Sequence, residues 1–443
     1  MSRPAHGSHR QIWAIAGPAI LANISGPMVG VVDTWALGHL PDPRFLAAIA
    51  VGSFVFHFVY WSFGFLRMGT TGMAAQAHGA ADSARLTRIV LRAAALGLGF
   101  ALVVLALQGP LLAALFALLK PDAAAAELAM QYCLIRIWSA PAILLRITVI
   151  GFLIGTQRAK TALGIEVALN LLNAALTVWF VTGLEWDIVG AARASVIAEI
   201  LAALLALGVA LRLLRPSALL AAARERGFWR PAAFGALVSV NGYLFLRTLL
   251  LMAAFGLLWR MSAGLGTLTL SANQVLMQFL MLTSFGLDGI AYAAEALVGA
   301  AKGQGRRAGL HRVVRLTTLW AGMMALGYSA VFALAGEAMI AGFTDLGEVR
   351  AAAGAHLPWL VVMPVIAVWS YQFDGVFIGA TETRAMLATM IVAFALYVAA
   401  IALLAPRFGN DGLWAAMALF LLARGVGLAL LYPALARRVG AES

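Results

Sequence analysis

Twelve stretches of this chain run for about twenty residues or more with few charges, and that recurrence limits the fold more than any other feature. A helix rises 1.5 Å per residue, so roughly twenty apolar residues cross the hydrocarbon of a bilayer. The stretches lie near 11–38, 45–76, 86–116, 127–156, 160–183 and 188–213, then near 229–256, 267–299, 310–334, 351–379, 384–405 and 411–435. Strand-length alternation is absent. Lipid offers no partner to backbone N–H and C=O groups, so such spans fold as helices whose bonds close within each segment. The pattern predicts an all-α polytopic membrane protein of twelve helices. Only 11% of its 443 residues are charged, against about 25% in soluble domains, which excludes a soluble fold.

The net charge of +12 sits in short loops, where a membrane surface accounts for it better than nucleic acid. Arg3 and Arg10, Arg85 to Arg92, Arg158 and Lys160, Arg212 to Arg230, Lys302 to Arg315, Arg384, and Arg437 and Arg438 mark loops of one parity. The other parity carries few basic residues and many of the loop acids, so both termini are expected in the cytoplasm. The basic N-terminus resembles the start of a signal peptide, but the apolar run after it is too long, and it is expected to stay as the first span. A single cysteine, Cys133, forms no internal disulfide, and no cluster suggests a metal site or cofactor. Walker, HExxH and GxSxG motifs are absent, so no enzyme is expected, and uphill work would draw on an ion gradient.

The sequence also repeats itself. At a constant shift of 224 residues Gly79 meets Gly303, Arg88 meets Arg312, Gly151 meets Gly375, Gly155 meets Gly379 and Asp187 meets Asp411. Two six-helix lobes follow, 1–215 and 231–443, joined by a cytoplasmic linker at 216–230. Because six is even, the lobes are expected to be related by a pseudo-two-fold along the membrane normal. The intramembrane acids are not repeated: Asp33 meets Leu257, Asp288 meets Gly64 and Asp374 meets Ile150.

The first helix holds the most demanding residue. Asn23, Gly26, Gly30 and Asp33 follow at helical spacing on one face, with Pro18 and Pro27 as bending points. A carboxylate at mid-membrane costs about 2.5–3.5 kcal/mol even on the lenient insertion scale, so Asp33 reads as a proton or ion site. Other polar stripes are Tyr60, Gly64, Arg67 and Thr71 in the second helix, Glu166, Asn170, Asn173 and Thr177 in the fifth, and Ser195 and Glu199 in the sixth. The second lobe offers Arg247 in the seventh helix, Gln274, Gln278, Met281, Phe285, Asp288, Tyr292 and Glu295 in the eighth, and Asp374 in the tenth. Arg136, Arg146, Arg193 and Arg424 are further charges in or near spans. Plain structural readings compete. Asn170 is either helix-to-helix glue or part of a site. Arg67 and Arg247 read as partners that neutralise a carboxylate, Glu295 reads as solvated near a helix end, and Glu166 and Glu199 stay open between a solvated and a binding role.

Four strings now matter together: NISGPMVGVVDTWALGHL, FGFLRMGTTGMAAQAHGA, GLDGIAYAAEALVGAAKG and FDGVFIGATETRA. They resemble the multidrug and toxic compound extrusion (MATE) family, in its DinF-like branch, along nearly the whole chain. The resemblance implies two six-helix lobes about a central cavity and export of organic, often cationic, compounds by proton or sodium antiport. It implies that Asp33 is the N-lobe protonation site, with Asn173 and Ser195 beside it. Where the family often has NxxxD, this chain reads Asn173 to Thr177. That loss removes a hard oxygen ligand, weakens a sodium site and leaves proton coupling as the simpler expectation.

The expected mechanism is proton-coupled efflux of a small organic molecule from the bacterial inner membrane by a monomer, with Asp33, Asn173, Thr177 and Ser195 in the coupling site. Asn23, Tyr60, Arg67 and Asn170 form an N-lobe stripe, Arg247, Gln278, Asp288, Glu295 and Asp374 a C-lobe polar site, and Pro18 or Pro27 the hinge. Competing readings are a sodium antiporter using the C-lobe acids, a lipid or lipid-linked flippase, and a channel.

Overall fold

The computed structural model describes residues 7–40 and 42–439, and every regular element among them is helical. Eleven helical stretches are long and apolar enough to span a membrane. The last of them, Thr383–Arg438, is two helices. As one straight rod its 56 residues would reach about 84 Å, far beyond a bilayer. Instead the chain bends at Gly409 (φ 55°, ψ −126°), a conformation glycine adopts without a Cβ penalty. The rings of Tyr397 and Phe420 then meet at 5.2 Å from the two arms. Twelve spans result.

The boundaries carry the duplication into three dimensions. The second helix, Pro43–Gly79, matches the eighth, Thr267–Gly303, and the fourth, Ala123–Gly155, matches the tenth, Gly347–Gly379, at both ends with the same 224-residue offset. The third begins at Ser83 and the ninth at Arg307, again at that offset, and the fifth and eleventh begin at Ala159 and Thr383. The repeated glycines have a packing reason. A Cβ on Gly151 would lie 2.6 Å from the backbone oxygen of Arg67, and one on Gly155 the same distance from that of Thr71, so the fourth helix lies backbone to backbone on the second. Gly375 repeats the arrangement, with a Cβ position 2.5 Å from the Ala291 oxygen. Small residues four apart allow this approach, as is common in membrane bundles.

By packing, the chain forms two units: Leu21–Val238 and, for the other, the first twenty residues with Ser239 onwards. The divisions therefore fall inside the first and seventh helices, whereas the linker limits at 215 and 231 are those of the sequence repeat. The start of the first helix joins the later unit because Gly289 packs against Ala16 and Ile20, and Trp13 meets Trp320 edge-on at 5.1 Å. Trp320 Nε1 also donates to His9 Nδ1 at 3.0 Å. That later unit has a core of Phe279, Phe332, Tyr397, Trp414 and Phe420. Beside it Asn273 and Asn410 exchange amide bonds of 2.7 and 2.9 Å.

Breaks in the spans follow prolines unevenly. The third helix stops at Ala106 and resumes at Gln108, because Pro110 cannot donate to the Ala106 carbonyl. The first helix runs unbroken through Pro18 to Ser25, breaks at Gly26 and Pro27, and resumes as Met28–Gly38. Of the two expected hinge residues, only Pro27 lies at an interruption.

Candidate functional site

At the break of the first helix the fifth helix reaches in: Asn170 Nδ2 donates to Ser25 O at 2.9 Å. Of the two readings of Asn170, the contact is the structural one. It steadies the bend while the Met28–Gly38 segment carries Asp33 into the interior of its unit. Asp33 is fully buried. Its Oδ1 accepts from Thr177 Oγ1 at 2.9 Å, and its Oδ2, also buried, has no partner among the described residues. One turn before Thr177 on the fifth helix, Asn173 Nδ2 donates to Ser195 Oγ of the sixth at 3.0 Å, which leaves the buried Asn173 Oδ1 unpartnered. The four residues expected to form the coupling site are thus brought together. Directly after Thr177 and Val178 the fifth helix widens into a π turn, Trp179–Gly183, a distortion frequent at functional sites.

Arg136 in the fourth helix completes the electrostatics. Its charge acts on Asp33, yet no ion pair within 4 Å joins the two among the described residues. Its guanidinium instead donates to Tyr132 OH and lies 5.0 Å from the centre of the Phe56 ring, which stacks on Tyr60 at 5.5 Å. Arg136 appeared in the sequence only as one charge among several. Nothing in its spacing points to Asp33, because the two lie on helices whose neighbourhood the fold decides.

Arg146, ten residues on, forms a second buried cluster. Its Nε and Nη2 reach both oxygens of Glu199 at 3.0 and 3.3 Å, and its Nη1 donates to Glu166. Of the two roles open for Glu166 and Glu199, the solvated one does not fit: Glu199 is buried, and both acids are ion-paired to Arg146. Asn23 and Arg67 are each half-buried and each engaged in contacts of their own.

In the later unit Asp374 does not stand ready for an ion. Its Oδ2 accepts from Arg424 Nη2 at 2.7 Å and also from Arg247 Nη2. Asp288 adds its charge to Arg247, and Tyr371 shares a hydrogen bond with Ser284. Arg247 therefore neutralises a carboxylate, as its structural reading holds. Glu295 is 2% exposed, so the solvated reading is corrected here: it sits at the close crossing where Gly379 meets its backbone. Gln278 is half-buried on the same helix. Seventeen residues separate Gln278 from Glu295, about 25 Å of helix, so the expected C-lobe residues line a path and do not converge on one point.

The MatE family profile matches this chain twice, at residues 18–179 and again at 244–404, an offset close to that of the internal repeat. The chain belongs to the multidrug and toxic compound extrusion family. It is 37% identical over 425 residues to DNA damage-inducible protein F of Escherichia coli K12, covering 96% of this chain and 92% of that one. It is 30% identical over 355 residues to the probable multidrug resistance protein NorM of Rhizobium meliloti, covering 76% and 73%. Among solved structures, a MATE crystal structure in the bent conformation superposes with a TM-score of 0.87 at 20% identity, covering 98% of this chain and 97% of that one. An outward-facing MATE transporter gives 0.83, also at 20% identity, with 97% and 96% covered. At that identity the likeness speaks for the fold. This MATE family chain is a multi-pass membrane protein.

Proposed function

We propose that this chain is a proton-coupled antiporter that exports organic, cationic or amphiphilic compounds across a bacterial cytoplasmic membrane, with both termini inside. Membership of the family and relatives named for multidrug resistance support export of small organic molecules. The observation that carries proton coupling is the state of Asp33: fully buried, with one oxygen bonded to Thr177 and the other without a partner. Such a carboxyl can take up and give back a proton without breaking an ion pair. A sodium ion fits less well, because the position one turn after Asn173 is a threonine and not a second acid, and the charge of Arg136 acts on Asp33. The C-lobe alternative is weakened because Asp374 is already shared by Arg247 and Arg424.

In this scheme a protonated Asp33 loses its attraction for a cationic compound, which leaves toward the outside. Release of the proton to the cytoplasm restores the charge. Coupling requires that proton and compound each interact differently with the two states of the transporter, and the break at Gly26 and Pro27 is the proposed moving element. The test is transport of ethidium in inverted vesicles with proton and sodium gradients imposed separately. Wild-type protein should respond to the proton gradient, and Asp33→Asn should be made in normal amounts yet fail to respond. Full proton-driven efflux by Asp33→Asn would remove that residue from the mechanism.

A further inference from the structure

The Arg146 cluster has no part in the scheme above, and its charges do not balance. One guanidinium faces two carboxylates inside the bundle, with side-chain exposures of 10% for Arg146, 11% for Glu199 and 22% for Glu166. An unneutralised charge in a membrane interior is costly, and a guanidinium does not give up its proton in proteins. Counted together with Arg136 and Asp33 of the same unit, two guanidiniums face three carboxylates, so neutrality needs one proton held by one of the three.

Two further observations tie the cluster to Asp33. Glu199 lies one turn beyond Ser195 on the sixth helix, and Ser195 is bonded to Asn173 of the coupling site. Arg136 stands on the same fourth helix as Arg146, ten residues before it, with its guanidinium on Tyr132 OH. The region between holds buried polar atoms with no partner among the described residues: Asp33 Oδ2, Asn173 Oδ1 and Arg136 Nε. The other titratable and charged groups on the packed helices are Arg44, His57, Tyr60, His78 and the engaged Arg67 on the second, Arg85, Arg88 and Arg92 on the third, Glu127, Tyr132 and Cys133 on the fourth, Lys160 on the fifth, and Asp187, Arg193 and Arg212 on the sixth. Three carboxylates, Asp33, Glu199 and Glu166, thus share the charges of Arg136 and Arg146.

We propose that Arg146, Glu166 and Glu199 form a second proton-exchange site of this unit, which relays the proton of Asp33 to the side of the membrane where Glu166 lies. The proposal rests on the reading of Asp33 as the coupling carboxyl. In the relay, protonated Asp33 gives its proton to the Glu199 carboxylate through water admitted to the polar region beside Asn173 and Ser195, each water accepting one proton and passing on another. Asp33 becomes anionic and draws the charge of Arg136, Glu199 becomes neutral, and Arg146 keeps Glu166 as its partner. The proton then passes from Glu199 to Glu166, the more exposed acid, and from there to water. Only O–H bonds are made and broken, and the guanidiniums stay charged throughout.

The experiment uses the full-length protein in proteoliposomes with ethidium as the probe, and compares transport driven by a proton gradient with probe exchange at equilibrium, which needs no net proton movement. Glu199→Gln and Glu166→Gln should each lower gradient-driven transport by about a hundredfold while exchange falls far less, and Glu199→Asp should recover part of the loss. Infrared spectra of the purified protein should show a protonated-carboxyl band that weakens in Glu199→Gln. Wild-type gradient-driven rates in both Gln variants would overturn the relay. So would an equal loss of both activities that the charge-balanced pair Arg146→Gln/Glu199→Gln restores, since the ion pair would then be scaffolding alone. If Glu199→Gln does not fold, that pair decides: selective loss of gradient-driven transport supports the relay, and retention refutes it. Asp33→Asn is measured alongside. Its retention of proton-driven transport would end the coupling reading itself, whereas an inactive Asp33→Asn beside active glutamate variants would end only the relay.

Discussion

Gly151→Ala should loosen the crossing of the second and fourth helices, and its cost can be worked from the packing. The added Cβ would sit 2.6 Å from the Arg67 carbonyl oxygen, 3.1 Å from Thr70 Cβ and 3.2 Å from Arg67 Cα. Two of these neighbours are backbone, so no side chain can rotate away, and the helices must separate by roughly 0.5–1 Å to reach ordinary contact distances. A gap of that size forfeits about a quarter to a half of each dispersion contact, each worth about 0.1–0.2 kcal/mol. Over roughly forty to sixty atom pairs across the crossing these ranges multiply to a loss of about 1–6 kcal/mol, with a middle value of about 3. Alanine returns about 1 kcal/mol through its better helix propensity. The net expectation is a loss of about 1–3 kcal/mol, in the range seen for overpacked cores. Gly375→Ala should behave alike in the later unit, where the Cβ position is 2.5 Å from the Ala291 oxygen. Gly164→Ala is the control, since nothing lies within 4 Å of its Cβ position, and it should be neutral or slightly stabilising. Melting of the detergent-solubilised variants, followed by size-exclusion fluorescence, reads the difference. Gly151→Ala melting at or above Gly164→Ala would refute the claim that backbone contact, and not composition, explains the repeated glycines.

Three other outcomes can be checked in the same preparations. Asn170→Ala removes the side-chain donor to the half-buried Ser25 O and should cost about 0.5–1.5 kcal/mol, the net worth of such a hydrogen bond; unchanged melting would show that this contact does not steady the break. Thr177→Asp places a second carboxylate beside Asp33 and should make efflux respond to an imposed sodium gradient; no change in sodium response would mean that oxygen count does not set ion choice here. Arg424→Gln removes one of the two guanidiniums on Asp374 while Arg247 still compensates the carboxylate, and should destabilise the later unit by about 1.5–3 kcal/mol; combined with Asp374→Asn the loss should be smaller than the sum of the two single losses, as thermal unfolding of the single and double variants would show. Additive losses in that pair would deny the two residues any coupling.

The periodicity of the sequence determined a great deal. Lipid leaves the backbone no choice but helices, so the lengths of the apolar runs gave the number of spans, and the ungapped shift of 224 residues reappears in helix ends on both sides of the repeat. Asp33, Asn173, Thr177 and Ser195 could be picked out because a buried acid is expensive and because polar residues three or four apart share a helical face. What the sequence could not settle was pairing. Arg146 meets Glu199 across 53 positions and Arg424 meets Asp374 across 50, and no local pattern encodes which helix lies next to which. For that reason Glu295 reads as a solvated end, and Glu166 and Glu199 stay open, until the fold shows Glu199 and Glu295 buried and Glu166 paired with Arg146. Proline gave the same lesson. Pro18 and Pro27 each remove one hydrogen bond, but the helix breaks only at Pro27, where Asn170 of the fifth helix reaches the Ser25 carbonyl. Hydropathy is a property of each segment by itself, so the chain alone fixes where helices run; the partner of a buried charge or of a carbonyl at a break is a property of two segments at once, and only tertiary packing decides it.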